Sequence, residues 1–288
     1  MLNVKQKTRN ICAAFALALV CSPAEAATIT IRVGVDPAFA ATASDLISAF
    51  QNYYSDFGLS YSVVLTAAPS SQLESDIVAG GATGPYDLLL AGSIKEPLDL
   101  ALNYPGLIVG GPVPYAKDYL TLYSETVDIS AGLPYPLTTN IVLPDPTQDI
   151  YGLAAASLLA FPPWRTTTIP SGYVFTRPNS RSAFAAIKAG NYAYGFVANS
   201  KVCSLDANGN PFYPAGSYHY TYNAGFNALF SAVLTLTGVK LAQTRTTDQE
   251  TELSNFLSFL SAAADSAGNT TTAGTDILKG HCFKIPVL

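Results

Sequence analysis

Tyr61-Ser62-Val63-Val64-Leu65-Thr66-Ala67-Ala68-Pro69-Ser70-Ser71-Gln72-Leu73-Glu74-Ser75-Asp76-Ile77 reads as a strand, a tight loop and the start of a helix. Tyr61 to Leu65 is aromatic and β-branched, which suits a pleated strand. Ser71 and Glu74 stand at capping-box spacing and set the helix start, and Leu73, Ile77 and Val78 give that helix an apolar face. Such a junction presents unpaired peptide N–H groups and the positive end of a helix dipole, which together suit an anion. With Ser71 assigned to the cap, the Ser70 hydroxyl is left as a candidate ligand group. The bland alternative is that both serines only terminate the loop.

The chain repeats this junction. Ile29 to Val35 alternates as a strand, and Phe39, Ala43, Leu46, Ile47, Phe50 and Tyr54 follow at helical spacing. Asp87 to Ala91 is a short apolar run between Pro85 and Gly92, as expected of a buried parallel strand. A second unit follows at roughly 120–200, with strands at Tyr119–Tyr123, Asn140–Leu143, Tyr173–Phe175 and Tyr194–Ala198. Its helices begin near Asp149 and at Asn179-Ser180. Asp206 to Asn210 lacks the distal glutamate of a calcium loop and reads as a hairpin turn. Phe226 to Leu236 is apolar and reads as a helix. Thr247 with Glu250 caps a further helix, and Asp276 to Phe283 makes a last helical turn. The order predicts an α/β fold of two lobes, each with a mixed, mostly parallel sheet. Ligands of such sheets bind beyond the carboxyl ends of strands, here near Asp36, Ser70, Tyr151, Ser180 and Ala198.

The 288 residues are 49% hydrophobic and 12% charged, enough for one large core or two smaller ones. Lys5, Lys7 and Arg9 precede the apolar run Ile11–Val20, and small residues stand at Ala24 and Ala26. Residues 1–26 are therefore expected to be a secretory signal peptide, with the mature protein in the periplasm. The remainder carries 12 Lys and Arg against 19 Asp and Glu, a net charge of −7. No basic stripe is present, which excludes the usual nucleic-acid footprint. Cys203 and Cys282 remain; export permits a disulfide between them, and their spacing with His219 and His281 fits no zinc site.

The order of segments resembles the periplasmic molybdate-binding proteins of bacterial ABC importers, within the type 2 periplasmic binding protein fold. Ala68-Pro69-Ser70-Ser71-Gln72-Leu73 is similar to the family's Gly-Ser-Ser-Gly-x-Leu turn, and Asp87 to Ser93 to its buried strand and following turn. Asp145-Pro146 with Tyr151-Gly152 resembles its Asp-Pro…Ala-Gly motif. Ser182 to Gly190 with Tyr194 to Ala198 resembles its helix-strand unit, and Ile277 to Phe283 its C-terminal motif. The resemblance implies lobe I at 27–115 plus 225–288, lobe II at 116–224, and hinge strands near Ala116–Leu120 and Tyr220–Phe226. It implies an oxyanion held by hydroxyls and peptide N–H groups, with Ser70, Ser71, Tyr151 and Ser180 at the ligand positions. It departs at Ala38, where the family has a serine, with Asp36 standing nearby, and at Ala198, where the family has a tyrosine. Asp36 either caps the first helix or faces the cleft; in the second case the ligand is a protonated anion, an organic solute or a cation.

The function expected is a monomeric, non-enzymatic solute-binding protein without cofactor or metal centre. It captures a molybdate-like oxyanion between its lobes and delivers it to the membrane subunits of an ABC importer. The alternatives are a different small solute, an organic anion or a metal, or an exported hydrolase built on converging carboxylates at Asp36, Asp145 and Asp149. His281-Cys282 adjacency and the absence of a Gly-x-Ser-x-Gly elbow give the hydrolase little further support.

Overall fold

A computed structural model describes residues 29–222 and 233–286. The expected signal peptide, residues 1–26, lies outside the described residues. Strand β1 (Ile29–Val35) is followed by α1 (Ala40–Ser55), β2 (Tyr61–Ala67), α2 (Ser70–Gly80), β3 (Leu88–Ala91) and α3 (Lys95–Asn103). The long β4 (Ile108–Ser124) leads to β5 (Ile141–Pro144), α4 (Ile150–Ala160), β6 (Val174–Arg177), α5 (Ser180–Lys188) and β7 (Tyr194–Ala198). A short hairpin, β8 (Ser204–Leu205) and β9 (Pro211–Phe212), precedes β10 (Tyr218–Tyr222), β11 (Val233–Leu241), α6 (Thr247–Ser261) and α7 (Ala273–Gly280).

The strands order as β2-β1-β3-β11-β4-β7-β5-β6, with β10 also paired to β4. Parallel β2-β1-β3 and β6-β5-β7 are the two ends, and antiparallel β11 and β4 join them. β4 belongs to both halves. Its residues 108–119 pair with β11, and Leu120 onward pairs with β7 and β10. Each half carries apolar packing on both faces. Phe39, Leu46, Phe50, Phe256 and Phe259 fill one face of the first half, and Leu73, Ile77, Leu89 and Leu100 fill the other. In the second half Leu122, Leu143, Leu158 and Phe196 lie opposite Tyr123, Val142, Ile187 and Val197. The period-2 strands and 3.6-period helices of the sequence supply these faces directly.

Several expectations are corrected. Val233 to Leu241 is strand β11, so the helical reading of Phe226–Leu236 fails where it is described; 226–232 lie outside the described residues. β4 runs through Pro112 and Pro114 instead of starting after them. Its first part forms an edge there, with register shifts against β11, so no ladder partner needs the missing N–H groups. Helix α2 begins at Ser70 with no side-chain cap, so Ser71 sits within the first turn and makes no capping box with Glu74. The box on α6 is made by Thr246 and Gln249, one residue before the expected pair. The hairpin at Asp206–Asn210 forms as expected, between β8 and β9. Among the described residues no helix is long and apolar enough to cross a membrane.

Cys203 and Cys282 form a disulfide with Cα atoms 5.9 Å apart and a sequence separation of 79. It ties the loop after β7 to the turn after α7, next to the Lys117–Lys284 bridge onto β4. Closing a loop of that length removes about 4 kcal/mol of unfolded-state entropy. Urea unfolding with and without reductant is expected to show a loss of this order, abolished in the Cys203→Ser/Cys282→Ser protein.

Candidate functional site

The ends of β1, β2 and β3 and the start of α4 surround a cavity of about 340 Å³ lined by Asp36, Ser70, Gly92, Ser93, Glu96 and Asp149, with Thr147 and Gln148 on its second-half side. Asp36 follows β1 directly. Its Oδ1 accepts the Ala38 N–H at 2.9 Å and its Oδ2 accepts the Ser70 hydroxyl at 2.8 Å. Ser70 Oγ in turn accepts the Gly92 N–H at 3.0 Å. One carboxylate and one hydroxyl thus join the carboxyl ends of three neighbouring strands. Gly92 permits this closeness, because a Cβ there would stand 2.8 Å from Asp36 Oδ2. Asp36 therefore lines the cavity and holds the turn before α1, but it does not cap that helix, whose N-cap is Phe39 with no side-chain bond.

Asp149 does the same in the second half. It is the N-cap of α4, where Oδ1 accepts the N–H groups of Tyr151 at 2.8 Å and Gly152 at 3.3 Å. Its Oδ2 accepts the Ser180 N–H at 2.8 Å, from the first residue of α5. The helix starts that the sequence assigned to an anion therefore converge on a carboxylate of the chain itself. Ser180 Oγ accepts the Ala198 N–H at 2.7 Å and is fully buried.

The expected site residues divide accordingly. Asp36 and Ser70 line the cavity. Ser71, Tyr151 and Ser180 are not among its lining residues. The Tyr151 hydroxyl donates to Asp118 Oδ2 at 2.7 Å, beneath the cleft. Asp118 also accepts from the Ser200 hydroxyl at 2.6 Å, at the point where β4 passes from one half to the other. Asp145 holds a turn through the Thr147 N–H at 2.8 Å and does not join Asp36 and Asp149. Asp149 was legible as a helix start and as one of three carboxylates that could converge, whereas Ser93 and Glu96 carried no signal beyond their place after a strand. Ser93 donates to Glu96 Oε2 at 2.7 Å, and Lys95, at the rim, leaves 76% of its side chain exposed. A second cavity of about 370 Å³ lies between α6 and the β3-β11-β4 strands. Its walls are mainly aliphatic, as at Leu88, Val113 and Leu257, so it offers few groups to orient a polar solute.

Burial raises the Asp36 carboxyl to about 6; the Ala38 N–H and Ser70 hydroxyl oppose the rise, Glu96 adds to it, and Lys201 opposes it. Burial also raises Asp149, to about 7, with Asp36 adding to the rise against the three N–H donors. The folded chain therefore holds protons that the unfolded chain releases near pH 4. The stability these groups contribute is present at low pH and is lost as pH rises through 6 and 7. Burial raises Glu74 to about 7 and Glu252 to about 8, which act in the same direction. Unfolding free energy is expected to fall from pH 5 to pH 8, and Asp149→Asn to make that fall shallower; equilibrium denaturation across this range is the check.

The architecture agrees with that of known proteins. The chain is similar in structure to the Azotobacter vinelandii periplasmic molybdate-binding protein, with a TM-score of 0.65 at 18% identity over 89% of this chain and 100% of that one. It is similar to a periplasmic thiamin-binding protein, with a TM-score of 0.58 at 12% identity over 89% of this chain and 83% of that one. It is also similar to the sulfate-binding protein of Mycobacterium tuberculosis, with a TM-score of 0.56 at 14% identity over 89% and 92%. At these identities the likeness establishes the mixed α/β periplasmic binding protein fold. A search of curated proteins finds no match. The bacterial extracellular solute-binding protein family matches residues 31–266, and the chain belongs to that family.

Proposed function

We propose that the protein is an exported, monomeric carrier that captures one small solute in this cavity and delivers it to the membrane subunits of an ABC importer. The observation that carries the reading is the polar cavity where the strand ends of one half-sheet meet the start of α4 in the other. Lobes at 27–115 plus 225–288 and at 116–224 would close on the solute by bending β4 near Tyr119–Leu120, where its partner changes from β11 to β10. The solute acts by preferring the closed arrangement. Asp36 and Ser70 contact it from lobe I and Asp149 from lobe II. The buried Tyr151 and Ser180 support Asp149 through their N–H groups, and Ser71 lies in the first turn of α2. A molybdate-like oxyanion is the finer expectation from the motif order.

A panel of oxyanions, small organic acids, amines and divalent metals, read by thermal unfolding and small-angle scattering, tests the reading. A bound solute at 100 times its dissociation constant is expected to add about 2.7 kcal/mol and to reduce the radius of gyration. Ser70→Ala, which removes the link between Asp36 and Gly92, is expected to weaken binding of whichever solute stabilises the protein. Conversion of the stabilising compound to a product would transfer the protein to the hydrolase reading. Stabilisation without compaction would remove closure.

A further inference from the structure

Six donors around the cleft already have a partner supplied by the chain, ending on Asp149, Asp36 or Ser70. Those of Tyr151, Gly152 and Ser180, from the first turns of two helices, end on the Asp149 carboxylate at 2.8, 3.3 and 2.8 Å. The Ala38 N–H and the Ser70 hydroxyl end on Asp36, and the Gly92 N–H ends on Ser70. Asp149 is 5% exposed and Asp36 3%, and both line the same cavity, so neither is a solvated surface charge. A free oxyanion would have to displace a tethered carboxylate from those donors and then lie beside Asp36, Asp149 and Glu96.

Building on the solute-binding reading above, we propose that Asp149, together with Asp36, sets the charge selectivity of the cleft: it refuses oxyanions and takes a small organic cation, such as a protonated or quaternary amine. Asp149 Oδ2 and both Asp36 oxygens each accept one of these bonds and keep a further lone pair, so both carboxylates can face an ammonium group while keeping those bonds. The cavity of about 340 Å³ suits a small organic molecule. A compact divalent metal is less well served, since among the described residues no group of three or more His, Cys, Asp or Glu is placed to hold one.

The test titrates purified mature protein with putrescine and choline and, separately, with molybdate and sulfate. It uses the wild type, Asp149→Ala and Asp149→Ser, the serine variant keeping a good N-cap for α4 while removing the charge and freeing the Ser180 N–H. The wild type is expected to bind at least one amine and neither oxyanion. Asp149→Ser is expected to gain at least about tenfold in affinity for molybdate or sulfate, a change of about 1.4 kcal/mol, and to lose amine affinity. Tight binding of either oxyanion by the wild type, or no gain in a folded Asp149→Ser protein, overturns the charge assignment and leaves the solute-binding reading standing. A wild type that binds neither class overturns the assignment as well, whatever the scattering experiment shows.

Discussion

The Asp149 carboxylate gathers three peptide N–H groups from the starts of two helices, and the second half of the molecule is organised about that contact. A helix start buried beside a cavity leaves N–H groups that water would otherwise satisfy, and an unsatisfied buried donor costs on the order of 1–3 kcal/mol. Asp149 answers the need in α4 and α5 together, so the two helices keep a fixed relation to β5 and β6. The packing beneath leaves no slack: a Cβ on Gly152 would stand 2.4 Å from the Pro144 carbonyl oxygen at the end of β5. Asp36 repeats the device in the first half with a side-chain hydroxyl and a single N–H.

β4 is the second constraint, because it belongs to both half-sheets. Its change of partner at Tyr119–Leu120 coincides with the buried Asp118, which accepts from Tyr119, Tyr151 and Ser200. Tyr151 therefore links the proposed hinge strand to the helix whose cap faces the cavity. The Cys203–Cys282 disulfide and the Lys117–Lys284 bridge hold the C-terminal segment against the same region. Any rotation of the halves has to preserve these attachments, which confines it to small bending within β4 and sets the turning point beside the cavity floor.

Much of this was legible where a segment had one plausible period. β1 and β7 match their sequence readings, and α5 ends at the Gly190 turn as expected. The run after Phe226 misled because a continuous apolar stretch carries no period, and the following Thr-rich, β-branched residues, Val233 to Val239, belong to a strand. The α6 cap slipped by one residue because Thr246-x-x-Gln249 and Thr247-x-x-Glu250 both satisfy the same pattern. At the site, sequence located the strand ends, and of the expected residues Asp36 and Ser70 line the cavity. What spacing does not report is that each hydroxyl also has a partner within the chain: Ser70 with Asp36, Tyr151 with Asp118, Ser180 with Ala198. Spacing reports where a helix starts; only the fold reports that one aspartate reaches both starts.

Charge then connects the site to the motion. Two carboxylates facing one partly desolvated space repel once both are ionised, and Asp149 accordingly keeps its proton to about pH 7, from burial first and then from Asp36. Because Asp36 and Asp149 belong to opposite halves, that repulsion grows on closing and shrinks on opening. In the proposed carrier this repulsion favours the open arrangement of the empty protein above about pH 7, where both groups have lost their protons. A cationic solute reverses the sign of both interactions, and it does so only when the halves are together. Its differential affinity for the closed form is what closure requires. On the proposed charge selectivity, a dianion in the same place would instead meet repulsion from both carboxylates and find the Tyr151, Gly152 and Ser180 N–H donors taken.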